Sequence, residues 1–122
     1  MTTIGSLFSG IGGLDLGIEK AIPGSETIWQ VEKDPYCRKI LARHWPLADR
    51  SYTDVQDEEI EKHLPQPTII VGGFPCTDIS HANKDGRGLE GKASGLWWAM
   101  HRIICSLRPR YVVAENVAVL NR

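Results

Sequence analysis

The sequence has no long hydrophobic run, no excess of charge of either sign and few aromatic residues. None of its apolar stretches approaches the roughly 20 residues that span a bilayer, so no membrane association is expected. The N-terminus, Met1-Thr2-Thr3-Ile4-Gly5-Ser6-Leu7, lacks the basic start and apolar stretch of a secretory signal. Lys and Arg number 14 against 15 Asp and Glu, a formal net charge of -1. Without a global basic field, any contact with nucleic acid has to be local. Cysteines number three, Cys37, Cys76 and Cys105, an odd and widely spaced set that does not read as a disulfide framework. There is no C-x-x-C pair, so no metal is expected. The expected compartment is the reducing cytoplasm.

What is present is an ordinary globular composition, 42% hydrophobic and 24% charged over 122 residues, which argues against disorder and for one domain or part of one. Short β-rich runs alternate with helical patterns. Thr2 to Phe8 is an apolar run ending at glycines, and Leu14, Leu16, Ile18 and Ala21 follow with helical spacing. Thr27 to Val31 reads as a second strand. Asp34-Pro35 then reads as an N-cap and first-turn proline, opening a helix with Cys37, Ile40, Leu41 and Trp45. A weak third strand is expected near Arg50 to Tyr52, and a charged turn or short helix from Asp54 to His63. Thr68 to Val71, unbroken and β-rich, suits a strand buried on both faces. A polar loop from Thr77 to Ser94 leads into an amphipathic helix carrying Leu96, Met100, Ile103 and Leu107. Tyr111 to Ala114 is the fifth strand. Cys37 and Cys105, on helical patterns, read as small buried apolar residues.

This alternation predicts an α/β fold, a three-layer sandwich around a parallel sheet of about five strands in the order 3-2-1-4-5. The informative residues all fall at strand C-terminal ends, the edge where open α/β sheets bind ligands. The first group is Phe8-Ser9-Gly10-Ile11-Gly12-Gly13-Leu14, a glycine turn opening a helix whose free N–H groups can face a ligand. The dinucleotide pattern G-x-G-x-x-G fails here, because Asp15 takes the place of the third glycine. Glu32 ends the second strand about 20 residues further on, where such folds place an acid for ribose hydroxyls. The second group is Gly72-Gly73-Phe74-Pro75-Cys76, which sets a thiol in a rigid turn rather than in a strand, as a nucleophile requires. The third is Glu115-Asn116-Val117. Strand order brings Glu115 toward Cys76, where a carboxyl can act as a general acid if burial keeps it partly protonated.

Together these groups resemble the cytosine-C5 DNA methyltransferase family, in order and at plausible spacing. Phe8 to Leu14 is similar to its S-adenosyl-L-methionine turn, Gly73 to Cys76 to its nucleophile turn, and Glu115 to Val117 to its glutamate motif. The resemblance implies a Rossmann-like, S-adenosylmethionine-dependent methyltransferase fold with DNA as partner. It implies Cys76 as the group that adds to a flipped-out cytosine and Glu115 as the group that meets its ring nitrogen. It further implies that the cofactor is held by Phe8, Gly10, Ile11, Gly12, Gly13, Leu14, Glu32, Asp54, Val55 and Pro75. Pro75 would also fix the backbone that presents the thiol, Asn116 would hold the glutamate turn in shape on the DNA side, and Ser80, Lys84 and Arg87 would meet DNA from the polar loop. Thr77 departs from the glutamine most common after the family's nucleophile. The family's domain also continues past its glutamate motif, with an arginine-bearing motif, further strands and a target-recognition region. Residues 1–122 are therefore expected to be its N-terminal part, truncated after the fifth strand, as a fragment or split subunit inactive in isolation. A second polypeptide is expected to supply the rest, and the exposed fifth strand to promote self-association. A catalytically silent remnant and an unrelated nucleotide-binding oxidoreductase are the alternatives; restriction–modification, phage and regulatory roles stay open.

Overall fold

The computed structural model describes residues 1–73 and 92–115. Among them, four strands form one parallel sheet in the spatial order β2-β1-β3-β4. The elements run β1 (Thr3–Leu7), α1 (Gly13–Ala21), β2 (Glu26–Val31), α2 (Pro35–His44), α3 (Ile60–His63), β3 (Ile69–Gly72), α4 (Lys92–Leu107) and β4 (Tyr111–Ala114). Side chains alternate across the sheet, as a period of two requires. Ile4, Ile69, Val71 and Val113 face α1 and pack with Leu14 and Ile18. Leu7, Trp29, Val31 and Ile70 face the other way, onto Ile60 of α3 and Met100, Ile103 and Leu107 of α4. The result is three layers. Burying each such aliphatic side chain contributes about 1.5–3 kcal/mol, so the α4 side, with more large residues, carries most of the core.

The expected order holds for the strands that form. β3 lies inside the sheet, paired with β1 on one side and β4 on the other. The expected third strand at Arg50 to Tyr52 does not form. The chain meets β2 at a single bridge, Trp29 with Asp49, made by Gln30 N donating to Asp49 O and Asp49 N to Ile28 O. Beyond it the backbone groups go elsewhere: Ser51 N donates to the Asp49 carboxylate, and Arg50 O accepts from Arg38 Nη2. With those groups taken, the ladder stops after one rung.

At α2, Asp34 Oδ1 accepts from Tyr36 N (2.8 Å) and Cys37 N (3.3 Å), with Pro35 in the first turn. Trp45 is the residue that ends α2 rather than a member of it. Helix α4 begins at Lys92, so the last three residues assigned to the polar loop are helical. Cys105 is exposed, not buried, because it lies opposite the Ile103 and Leu107 side of α4; Cys37 is only half-buried. Among the described residues no helix is long and apolar enough to cross a membrane.

Candidate cofactor pocket and catalytic edge

The chain leaves β1 through Phe8, whose φ of 52° puts a non-glycine residue in the left-handed region. Such a backbone costs about 1–2 kcal/mol and persists only where its surroundings hold it. The following turn is held by side chains. Glu32, at the end of the neighbouring strand, accepts from Gly10 N through Oε1 and from Asp34 N through Oε2, both at 2.8 Å. One carboxylate thereby ties the glycine turn to the start of α2. Gly12 (φ 92°) is needed for space as well as for backbone, since a Cβ there would stand 2.3 Å from the Trp45 ring. Trp45 is itself fixed by Nε1 donating to Glu19 Oε2 at 2.9 Å.

Behind the turn lies a buried polar chain. Ser6 Oγ donates to Asp15 Oδ1 at 2.7 Å, and Gln30 Nε2 donates to Asp15 Oδ2 at 2.9 Å. Because the single Ser6 hydroxyl proton goes to Asp15, Ser9 is the donor in the 2.8 Å contact between the two serines. Gln30 Oε1 accepts in turn from Arg50 Nη1, which also donates to Trp45 O. Burial pushes the Asp15 carboxyl above its ordinary value of 3.8, against the opposing pull of Ser6 and Gln30.

Two cavities open at the C-terminal edge of the sheet, both bordered by Phe8 and Gly73. The first, of about 360 Å³, brings together Phe8, Gly10, Glu32, Asp54 and Val55, five residues singled out from sequence. Val31, Lys33, Thr53, Gly73 and Leu96 complete it. Its size is that of a small-ligand pocket. Its walls are apolar at Phe8, Val31, Val55 and Leu96, with the Glu32 and Asp54 carboxylates on its border. The second cavity, of about 470 Å³, is bordered by Gly13, Leu14, Ser9, Asp15 and Glu115. There Glu115 Oε2 lies 3.4 Å from where a Cβ on Gly73 would stand, and Glu115 N donates to Gly72 O at 3.0 Å.

Ile11 and Gly12 border neither cavity; they face a separate hollow against Trp45, on the far side of the turn. Pro75, Cys76, Ser80, Lys84, Arg87 and Asn116 lie outside the described residues. Leu96 and Asp15 are the notable additions. In the sequence Leu96 was one more member of an apolar helical stripe, and no periodicity separates a pocket wall from a core position. Asp15 stood out only as the missing third glycine; an acidic residue amid a helix's apolar spacing is the signal that marks it. Among the described residues, no group of three or more His, Cys, Asp and Glu is placed to hold a metal ion.

Residues 2–122 match the family model described as C-5 cytosine-specific DNA methylase. The chain is 38% identical over 121 residues to the Type II methyltransferase M.NgoFVII of Neisseria gonorrhoeae, covering 92% of this chain and 29% of that protein. It is 33% identical to M2.BsuMI of Bacillus subtilis (96% and 29%) and 34% identical to M.FnuDI of Fusobacterium nucleatum (92% and 31%). The chain thus spans about 29% of the length of the first two. A match along the whole sequence displaces the oxidoreductase alternative, and this chain belongs to the C-5 cytosine-specific DNA methylase family.

Proposed function

We propose that residues 1–122 are the N-terminal, cofactor-binding and nucleophile-bearing part of a DNA (cytosine-5)-methyltransferase, with the target-recognition region carried elsewhere. The observation that carries this reading is the first cavity, where Phe8, Gly10, Glu32, Asp54 and Val55 meet at the edge that holds Gly73, three residues before Cys76 in the sequence. S-adenosyl-L-methionine, when bound, supplies the electrophilic methyl group. Glu32 and Asp54 would receive its ribose side, and Phe8, Val55 and Leu96 its ring. Gly13 and Leu14 border the neighbouring cavity rather than this one, and would act by shaping the turn.

The Cys76 thiolate would add to C6 of a flipped-out cytosine, raising electron density at C5 for methyl transfer. Glu115 would hydrogen-bond or protonate ring N3 and so stabilise the developing charge. Loss of the C5 proton and elimination of the thiolate then restore the ring and the enzyme. On resemblance alone, Pro75 would fix the backbone that presents the thiol, Asn116 would hold the glutamate turn in shape, and Ser80, Lys84 and Arg87 would contact DNA. A free thiolate and a DNA substrate both favour a cytoplasmic setting. The Type II names of the relatives favour a role in restriction–modification.

Activity is proposed to need the remaining parts of the family's domain, supplied in the test below as a second polypeptide. Self-association through β4 is proposed on its position: it pairs only with β3 among the described strands, and Tyr111 and Val112 are 60% and 43% exposed. Labelled-methyl transfer tests the reading. The pure chain is expected to be silent, and transfer to DNA to appear on mixing with the complementing polypeptide and vanish in Cys76→Ser. Transfer by the mixture that survives Cys76→Ser contradicts it.

A further inference from the structure

Helix α4 follows the nucleophile segment, yet it reaches the opposite wall of the cofactor pocket. Its register against the sheet is set by Met100, which packs so closely on β3 that a Cβ at Gly72 would stand 2.8 Å from its Cε. One turn earlier Leu96 enters the pocket wall. Two residues beyond Met100, Arg102 extends away from the sheet with its guanidinium partly shielded, the side chain 31% exposed. Its Nε and Nη2 donate to the two oxygens of Glu61 on α3, at 2.7 and 3.3 Å. The same Nη2 donates to Val55 O at 3.0 Å and to Asp57 O at 3.2 Å.

Those carbonyls belong to the segment that forms the far wall of the pocket, where Thr53, Asp54 and Val55 stand together. This segment has no strand or helix of its own. Its internal bonds are local: Gln56 N to Asp54 Oδ1, Asp57 N to Asp54 O, and Glu59 N to Asp57 Oδ1. Lys33 reaches Asp54 at 3.6 Å, but both side chains are well exposed and the pair adds little. The arginine fork therefore ties a wall without regular secondary structure, otherwise anchored by the buried Val55 side chain, to a helix locked on the sheet. Charge-assisted, partly buried hydrogen bonds are the strong kind, and one planar fork serves a carboxylate and two carbonyls at once.

We propose that Arg102 is a positioning residue for the cofactor pocket, holding the Thr53–Val55 wall in place through the carbonyls of Val55 and Asp57. The proposal rests on the reading that this pocket takes S-adenosylmethionine. A bland alternative gives Arg102 only a stabilising clasp with Glu61. Two variants separate them. Arg102→Met keeps the stem and removes every donor. Arg102→Lys keeps a cation facing Glu61 but cannot serve the carboxylate and both carbonyls together.

Calorimetry with S-adenosylhomocysteine and amide exchange, on the full chain well below its melting temperature, provide the test. Arg102→Met is expected to weaken affinity roughly tenfold, equivalent to ~1.4 kcal/mol. Exchange at Val55 to Asp57 should quicken while the β1 amides stay as they are. Arg102→Lys should lose less thermal stability than Arg102→Met, stay folded at the titration temperature, quicken exchange at Val55 to Asp57 and lose affinity by an intermediate factor, which a mere clasp with Glu61 would not do. If Arg102→Met does not fold, the lysine variant decides alone. Wild-type affinity in the folded variants overturns the role of Arg102 and leaves the pocket reading intact. Absence of binding by the wild type overturns both.

Discussion

At the β1–β2 end of the sheet's edge, carboxylate oxygens already hold the turn, and each oxygen of half-buried Glu32 keeps a further lone pair for a ligand. Glu32 accepts two backbone N–H groups, and Asp15 accepts from Ser6 and Gln30 beneath the glycine turn. At the β3–β4 end, Glu115 stands exposed over Gly73, its carboxylate without a hydrogen-bond partner among the described residues. β4 itself is largely exposed. The half assigned to the cofactor is organised by its own side chains before any ligand arrives. The half proposed for the reaction holds an acid with no hydrogen-bond partner to its carboxylate among the described residues. Preorganised donors and acceptors lower the ordering cost of binding.

The largest effect that would break this contrast falls on the turn. Gly12→Ala places a Cβ against Trp45 and at positive φ, and should destabilise the fold by roughly 3 kcal/mol, the sum of backbone strain and overpacking. Urea denaturation reads it; a loss below about 1 kcal/mol would mean that Trp45 does not hold the turn.

Next comes Asp15→Asn, which replaces one of the two acceptor oxygens facing Ser6 and Gln30 with a donor and should cost about 2 kcal/mol near neutrality. Its pH dependence has a definite sign. The native carboxyl titrates above its ordinary 3.8, so between that value and its raised one the folded state binds more protons than the unfolded chain. The wild type therefore loses stability relative to the asparagine variant as pH rises through that window. The gap between the two should be wider in acid than at neutrality. A gap that widens with rising pH would overturn the assignment of burial as the dominant influence.

The smallest effect on folding sharpens the other side of the comparison. Val112→Lys on β4 should change stability by less than about 0.5 kcal/mol, since the side chain is already exposed. The same change should abolish any concentration-dependent association seen by sedimentation, because an edge lysine blocks strand pairing. Unchanged association would place the contact elsewhere.

The asymmetry also explains what could be read in the sequence. β3 was legible because Ile69, Ile70 and Val71 are an unbroken β-branched run, and β4 because Pro109 ends the preceding helix and Tyr111-Val112-Val113 follows. Arg50 to Tyr52 misled because nothing local reveals that Arg50 turns inward to Gln30 and Trp45 and that Asp49 takes the next amide. Cys105 was misplaced because it was read as part of the apolar face of its helix, although it stands about 200° from both Ile103 and Leu107. At the site, Phe8, Gly10 and Glu32 were legible because turn chemistry and strand ends are local features. Leu96, Thr53 and the reach of Arg102 were not, since each depends on packing between elements far apart in the chain.

The central claim is that Glu32 both builds the glycine turn and receives the cofactor. Calorimetric titration of S-adenosylhomocysteine into wild type, Glu32→Gln and Glu32→Ala tests it most directly. Losing a carboxylate that holds two backbone donors and a ribose should weaken binding by roughly 100-fold in the alanine variant, about 2.7 kcal/mol. The glutamine variant, which keeps one acceptor oxygen, should fall between. Equal affinity in all three proteins, or tighter binding by Glu32→Ala, would contradict the account.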